Sequence, residues 1–472
     1  MSALTRLKTR YIGDRRFYGM LLAVAVPIMV QNGITNFVNL LDNIMVGQLG
    51  TESMSGISIV NQLIFVFNIC IFGATSGAGI FTAQFFGSGD NDGVRATFRF
   101  KLMICLVLAA FFVAAFAVKG EALIKLYMND ENAESVLLAV SEGHDYLNVM
   151  IIGLVPFTFS AVYVGTLRET GNTVPPMVAG IAAVFVNLVF NYILIFGKLG
   201  APAMGVRGAA VATVIARFAE LAIIVVWTHT HHARCPFMQG AYRSMRVPGT
   251  IVKRIFVKGS PLMLNEVLWS VGMAMITQCY SLRGLNAVAA MNINSTMFNL
   301  FSIVFIALGS AVGILIGQLL GAGKMEEARD ADRKLIFFSF ACCIVVGALM
   351  FAASGVIPKA YKTSDEVRSL ATSLIRVVAV LMPIHAVTHA CYFTLRSGGR
   401  TFITFLFDSV FLWVINYPVV WCLTHLTQMH IVPLYAISSG LDLVKVAIGL
   451  TMVASGVWIR NIVDKPAEPE KE

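Results

Sequence analysis

The sequence predicts an all-α membrane protein: twelve transmembrane helices in two parallel, repeat-related lobes of six. Three observations carry that prediction. The chain of 472 residues is 57% hydrophobic and only 13% charged, whereas a water-soluble domain carries roughly 25% charged residues. Its apolar residues fall into twelve stretches, each near the roughly 20 residues a helix needs to cross a bilayer. The second half also repeats the first. At one constant lag, Pro27 falls on Pro261, Gly50 on Gly284, Gly79 on Gly313, Gln84 on Gln318, Gly87 on Gly321, Gly89 on Gly323, Arg95 on Arg329 and Arg99 on Arg333.

The predicted span cores are 18–43, 56–84, 101–118, 138–165, 176–197 and 207–229, then 257–281, 288–318, 335–357, 370–394, 402–424 and 433–457. Loops that are charged or bear Gly and Pro separate them. The expected organisation is a first lobe over 1–235, a cytoplasmic linker over 236–256, a second lobe over 257–460 and a disordered tail over 461–472. The tail is polar and Pro-bearing. Lys and Arg concentrate in alternate loops. Arg6, Lys8, Arg10, Arg15 and Arg16 precede the first span, and Arg234, Arg243, Arg246, Lys253 and Arg254 lie in the linker. Lys324, Arg329, Arg333 and Lys334 follow the eighth span. This bias puts both termini in the cytoplasm. Six spans per half is an even number, so both halves enter the bilayer in the same direction. The net charge of +9 therefore reflects topology, and nucleic acid is not an expected partner. The eight cysteines lie mostly within spans and lack metal-ligand or disulfide-framework spacing, so they read as small buried hydrophobes. The first span has no cleavage-like site and does not read as a removable signal peptide.

Polar residues inside the spans come next, in chain order. The first span carries Asn32, Thr35, Asn36, Asn39, Asp42 and Asn43 on one helical face. Facing lipid, that stripe would be costly, so it should face protein or water. Asp42 is the sharpest residue of the first half. A carboxylate in such a place can take and release a proton at useful pH; the alternative is a helix-end carboxylate at the outer interface. The second span has Ser58, Asn61, Gln62 and Asn68. On the fifth, Asn187 and Asn191 stand four apart and can serve Asp42 or only helix packing. Arg217 and Glu220, three apart on the sixth, read as a self-neutralising structural pair. At the end of that span, His229, His231 and His232 read as a solvated loop.

The seventh span holds Glu266 within Pro261-Leu-Met-Leu-Asn-Glu-Val-Leu-Trp269. No Lys or Arg lies at helical spacing from it. It is the second-half candidate for binding a coupling ion or a cationic solute. Asn265 is beside it, and Trp269 offers a cation–π surface or plain packing. The eighth span repeats the polar stripe with Asn292, Ser295, Thr296, Asn299 and Ser302. Interhelical hydrogen bonding is the alternative for any one of these residues, but three stripes on repeat-related helices favour a wet cavity between the halves. On the tenth span His385 and His389, four apart, can titrate near neutral pH or pack. Asp408 on the eleventh is a third acidic candidate, and Asp442 and Lys445 on the twelfth read as a second structural pair. No metal site is expected.

Gly321-Ala-Gly323-Lys324-Met325 lacks the spacing and the Ser or Thr of a phosphate loop. No loop is long enough for an ATPase domain, and no nucleophile–base set stands out. The expectation is not an enzyme but a duplicated transporter without cofactor, driven by an ion gradient or passive.

Several motifs resemble those of multidrug and toxic compound extrusion (MATE) transporters. They are Leu41-Asp42-Asn-Ile-Met-Val-Gly47-Gln-Leu-Gly50, Phe86-Gly-Ser-Gly89, Leu167-Arg168-Glu-Thr-Gly171-Asn172-Thr173, Gly205-Val-Arg-Gly208-Ala-Ala-Val-Ala-Thr213 and Leu395-Arg396-Ser-Gly398-Gly399, together with the Glu266 helix. The resemblance covers nearly the whole chain. It implies two six-helix lobes around a cleft that opens alternately to each side, and export of organic, often cationic or amphiphilic compounds in exchange for protons or sodium. It casts Asp42 as the first-lobe protonation aspartate and Glu266 as the second-lobe cation-site glutamate. Two positions depart from some members: His385 stands where they carry an acidic residue, and Asn191 where they carry an aspartate. The coupling ion, H+ or Na+, is therefore left open. The expected partners are small organic substrates and the lipid bilayer, with the chain acting as a monomer in a bacterial inner membrane. Asn36, Asn39, Gln62, Asn265, Trp269, Asn292 and Asn299 are expected to line the cleft. The competing reading is a lipid-linked oligosaccharide flippase of the related superfamily. Such flippases usually carry a strongly cationic cleft, whereas the carboxylates here favour cationic or neutral cargo.

Overall fold

The computed structural model describes residues 10–127 and 133–463. Among these, twelve long helices follow one another: α1 Arg15–Gly47, α2 Thr51–Gly87, α3 Asn91–Lys125, α4 Ala133–Glu169, α5 Val174–Phe196 and α6 Gly205–Thr230 in the first half. The second half has α7 Gly249–Ser281, α8 Leu285–Gly321, α9 Met325–Ala353, α10 Asp365–Ser397, α11 Thr401–Leu426 and α12 Ile431–Ala454. Helices are the expected outcome in lipid, where the backbone must satisfy its own polar groups. Even the shortest, α5 with 23 residues, is about 35 Å long at 1.5 Å per residue. Eleven are long and apolar enough to span a membrane. The twelfth, α7, has 33 residues and carries Lys253, Arg254, Lys258 and Glu266, which dilute its apolar character. The chain is a multi-pass membrane protein.

Ten predicted cores fall inside their helices or overrun them by a single residue. The ninth and twelfth overshoot: α9 stops at Ala353 and α12 at Ala454, where the apolar composition continues but the chain turns. Gly89 (φ 76°) and Gly323 (φ 73°) close α2 and α8 in the left-handed region, which glycine enters without penalty. Two helices are irregular. α11 contains two π-helical turns, Leu406–Val410 and Leu412–Asn416, and α12 is interrupted at Leu441.

The chain forms two compact units. The first-half unit holds Val30–Thr82 and the described part of Asn91–Arg254; the second-half unit holds the described residues up to Met29, Ala83–Asp90 and those from Ile255 onward. This corrects the expected lobe division at three places. The start of α1 groups with the second half, because Leu21, Val24, Ala25 and Ile28 share an apolar cluster with Ala307, Leu308, Ala311 and Val312. The end of α2 does the same at a close crossing with α8. A Cβ on Gly87 would lie 2.0 Å from the Gln318 carbonyl oxygen, and one on Gly321 would lie 1.9 Å from that of Gln84. Repeat-equivalent residues thus meet reciprocally, and only glycine fits.

The linker is the third place. Residues from Cys235 are a packed part of the first-half unit, with Cys235, Phe237, Met238 and Ala241 buried. Arg95 Nε donates to the Phe237 carbonyl at 3.1 Å. Arg99 donates to the carbonyls of Ala241 (2.7 Å) and Gly240 (2.8 Å). Backbone carbonyls in a tight turn need donors, and the two arginines supply them. His229 is likewise no simple solvated residue: its Nε2 is 3.0 Å from the Tyr163 hydroxyl, which contacts the Tyr242 hydroxyl at 2.5 Å. The tail is ordered at its start. Ile462 N–H donates to Gln84 Oε1 at 2.8 Å and Asn461 Nδ2 to the Gly321 carbonyl at 3.3 Å, while Gln84 Nε2 donates to the Ser397 carbonyl at 2.8 Å. The remaining tail residues, 464–472, lie outside the described residues.

Candidate functional site

Each unit holds a carboxylate cluster of its own. In the first-half unit, Asp42 near the end of α1 faces α5. Asn191 Nδ2 donates to Asp42 Oδ1 at 2.7 Å. The Asn187 amide, oriented to satisfy its neighbours, donates to Asp42 Oδ1 and Oδ2 at 2.9 and 3.0 Å and turns its oxygen to Thr213 Oγ1 at 3.3 Å. The four-residue spacing of Asn187 and Asn191 puts both amides on one face of α5, and Asn191 is only 2% exposed. A hydrogen bond to an ionised group is worth about 1.5–3 kcal/mol, so the two amides hold the carboxylate with neutral donors. Arg217 is the cation whose field reaches Asp42. It is engaged with Glu220 at 3.4 Å, the expected pair, and lies over the Phe157 ring at 4.9 Å.

In the second-half unit Glu266 on α7 faces α10, where the Tyr392 hydroxyl donates to Glu266 Oε1 at 3.3 Å. Arg396, one turn on, acts on it electrostatically. Asp408 on α11 joins the same network. Asn265 Nδ2 donates to Asp408 Oδ2 at 3.0 Å and approaches the Tyr392 hydroxyl at 3.4 Å. Asn265 Oδ1 accepts from Ser409 N–H (3.2 Å) and Ser409 Oγ (2.7 Å). The π-helical turn of α11 carries Asp408 and Ser409, consistent with the habit of such turns to mark functional sites. His385 Nδ1 is 2.9 Å from Asp442 Oδ2, and His389 is packed against Phe305 with ring centroids 4.8 Å apart.

All seven ion-coupling candidates therefore fall into two groups: Asp42, Asn187 and Asn191 in one, Glu266, Asp408, His385 and His389 in the other. The cleft candidates divide differently. Asn36, Gln62, Asn292 and Asn299 are exposed, and Trp269 is 41% exposed. The side chain of Asn39 lies outside the described residues. Asn265 departs from expectation. It is 1% exposed and ties α7 to α11, since a buried amide is tolerated only where hydrogen bonds satisfy it, and Asp408 and Ser409 supply them. It bonds Asp408 directly and approaches Tyr392, the partner of Glu266, a place from which it can position both acidic groups. The Asp442–Lys445 pair is also corrected. Lys445 Nζ binds Asp408 Oδ1 at 2.6 Å and Asp442 turns to His385, since the break at Leu441 leaves Asp442 at the start of a new helical segment facing α10.

The contacts of some residues are not legible in the sequence. Tyr392 and Arg396 continue the face begun by His385 and His389, at spacings of four, three and four, and that periodicity was the available signal. Buried Lys101 pairs with Glu169, and Arg168 Nη2 donates to Gln31 Oε1 at 2.5 Å, so the Leu167-Arg168-Glu169 motif braces α1, α3 and α4. No single-helix pattern announces those contacts. No group of three or more His, Cys, Asp or Glu suited to a metal ion occurs among the described residues.

The family model MatE matches residues 27–193 and 261–422, which include both clusters except Lys445, Asp442 and the flanking Thr213 and Arg217. The chain belongs to the MatE family. Its similarity to curated members spans most of its length. It is 24% identical over 445 residues to a probable multidrug resistance protein NorM of Thermotoga maritima, covering 94% of this chain and 93% of that one. It is 24% identical over 405 residues to the multidrug resistance protein MdtK of Edwardsiella ictaluri, covering 84% and 86%. Among solved structures, an outward-facing multidrug resistance MATE family transporter of the MOP superfamily superposes with a TM-score of 0.83 at 19% identity, covering 93% of this chain and 96% of that one. A MOP superfamily transporter from Pyrococcus furiosus, described as having a binding pocket of reverse polarity, also gives 0.83 at 19%, covering 95% and 98%. These structural likenesses establish the twelve-helix MATE fold. As a MatE member the chain is a membrane transporter and not an enzyme.

Proposed function

We propose that this MatE protein is a cation-coupled antiporter that exports organic, cationic or amphiphilic drugs and toxins by alternating access. The observation that carries this reading is the pair of intramembrane carboxylates held by neutral donors: Asp42 by Asn187 and Asn191, Glu266 by Tyr392. Ionisable groups inside membrane helices mark ion and substrate pathways. A carboxylate held by amides and a phenol keeps a negative charge available to a proton, a sodium ion or a cationic solute, and these compete for it. Ion binding neutralises the carboxylate and releases the cargo, and ion release restores the cargo site. The cycle works only where ion and cargo differ in their affinity for the two states, and the usual size of such a coupling is about 1–3 kcal/mol. The names of the multidrug resistance relatives support drugs as cargo. The exposed Asn36, Gln62, Asn292, Asn299 and Trp269 supply polar and aromatic surface for it. The Lys and Arg bias of the loops supports cytoplasmic termini in a bacterial inner membrane.

The test is efflux of a fluorescent organic cation by everted vesicles, driven separately by a pH and by a sodium gradient. Glu266→Gln and Asp42→Asn should each abolish gradient-driven efflux while the protein remains in the membrane. Unimpaired efflux by either variant would remove that carboxylate from the scheme.

A further inference from the structure

Asp408 and Glu266 lie in one network, yet they are not equivalent. Asp408 Oδ1 binds Lys445 Nζ at 2.6 Å, and Oδ2 accepts from Asn265 Nδ2 at 3.0 Å. Both of its oxygens are occupied. Glu266 accepts a hydrogen bond from a neutral phenol at 3.3 Å and feels the field of Arg396, whereas Asp408 is in direct contact with its ammonium. The Lys445 ammonium also lies 5.3 Å from the Phe407 ring centre and 6.0 Å from that of Phe411. A carboxylate and two aromatic faces make a receptor for a monovalent cation, and here its occupant is covalently attached to α12. Asp442, the acidic neighbour on the same helix, is directed to His385 instead.

We propose that Lys445 is a tethered cation that fills the ion position at Asp408, so that free sodium is excluded there and Glu266 is the only carboxylate of this pair that exchanges its ion with solution. The inference rests on the antiport reading and narrows it to one acidic group in this unit. The physical basis is effective concentration. A group held on the same chain within contact distance competes as an intramolecular ligand, far ahead of a dilute free ion. A carboxylate in a membrane interior that lost this partner would be left uncompensated, a strongly unfavourable state. It would recruit a cation from solution, and oxygen ligands suit a hard cation. Asn265, Phe407 and Phe411 would already be in place around it.

The experiment measures binding of radiolabelled sodium, and sodium-dependent melting, on the full-length protein in nanodiscs. The variants are Asp408→Asn, Lys445→Met and the charge-balanced Lys445→Met/Asp408→Asn. In the native protein, Asp408→Asn should leave the sodium stoichiometry unchanged. Lys445→Met should gain one sodium equivalent per chain and melt higher as sodium is added, and both gains should vanish in the double variant. Loss of sodium binding on Asp408→Asn alone would overturn the proposal, as would a folded Lys445→Met protein without the added site. If Lys445→Met cannot be recovered even in sodium while the double variant can, or if neither can be recovered, the pair is scaffold and the proposal falls. These readouts involve no transport. A protein that moves no drug under either gradient would sink the antiport reading and leave the binding result standing.

Discussion

Replacing Asn265 with Leu is the sharpest test of the positioning part given to that residue. Leu has a similar volume and keeps the apolar contacts, but it removes every polar atom of the side chain. The hydrogen bond to Asp408 Oδ2 at 3.0 Å is lost, and so is the acceptor for Ser409 N–H at 3.2 Å. Ser409 Oγ loses one acceptor but keeps the Asn265 backbone carbonyl at 2.9 Å, so the hydroxyl is not orphaned. The bond to an ionised group contributes about 1.5–3 kcal/mol, and a buried N–H without a partner costs about 1–3 kcal/mol. The combined loss is about 2.5–6 kcal/mol. For a unit of this size, each kcal/mol moves the melting point by roughly 2–4 °C, so the apparent Tm should fall by about 5–24 °C. The assay is thermal unfolding of purified protein, read beside dye efflux at a temperature where the variant is folded. Efflux should weaken for all cargoes alike, because Tyr392 and Asp408 lose their common anchor. A variant that melts like the native protein but has altered affinity for particular cargoes would refute this reasoning. It would return Asn265 to the cleft wall.

Three further outcomes are expected. Gly321→Ala forces the Gln84 carbonyl to retreat from 1.9 Å to the 3.4 Å of ordinary contact, and it should destabilise the protein by about 1–3 kcal/mol; Gly87→Ala should do the same, and unchanged melting of both would contradict the close crossing. Burial raises the Cys235 thiol to about 11, so its thiolate is scarce at pH 8. A thiolate-selective reagent should therefore leave Cys235 unlabelled in the native chain, label it faster as pH approaches that value, and label it readily at pH 8 once Arg99→Ala releases the linker; mass spectrometry of the labelled peptide decides. Lys101→Met removes the buried ammonium that pairs with half-buried Glu169 and should destabilise by about 1–3 kcal/mol, with Lys101→Met/Glu169→Gln recovering part of the loss. A single variant as stable as the native protein would remove the pair from the scaffold.

Much of the site was legible along single helices. Asn187 and Asn191 could be paired with Asp42 because a spacing of four residues is itself a spatial statement on an α-helix. Glu266 stood out because a lone acid in an apolar span must have a reason. His385 and His389 marked the face that Tyr392 and Arg396 extend. What resisted reading was partner choice across helices. Asp442 and Lys445 looked like each other's partners, since both three-residue spacing and opposite charge favoured it. The break at Leu441 and the π-helical turns of α11 rotated them onto His385 and Asp408 instead. Asn265 was expected in the cleft and Glu266 beside it at the coupling ion, yet adjacent helical positions point about 100° apart.

By itself the sequence determined the membrane class, the twelve helices, the duplication and the short roster of ionisable residues inside the spans. Those follow from composition, from periodicity and from the cost of polar groups in lipid, all of which are local properties of the chain. Only the tertiary structure decided which polar groups face one another, that the start of α1 and the end of α2 join the second-half unit, and that the linker and residues 461–463 are packed. These depend on helix rotation, on close approach at glycines and on irregular turns. Distances of an ångström or two set those features, and no spacing in one dimension records them.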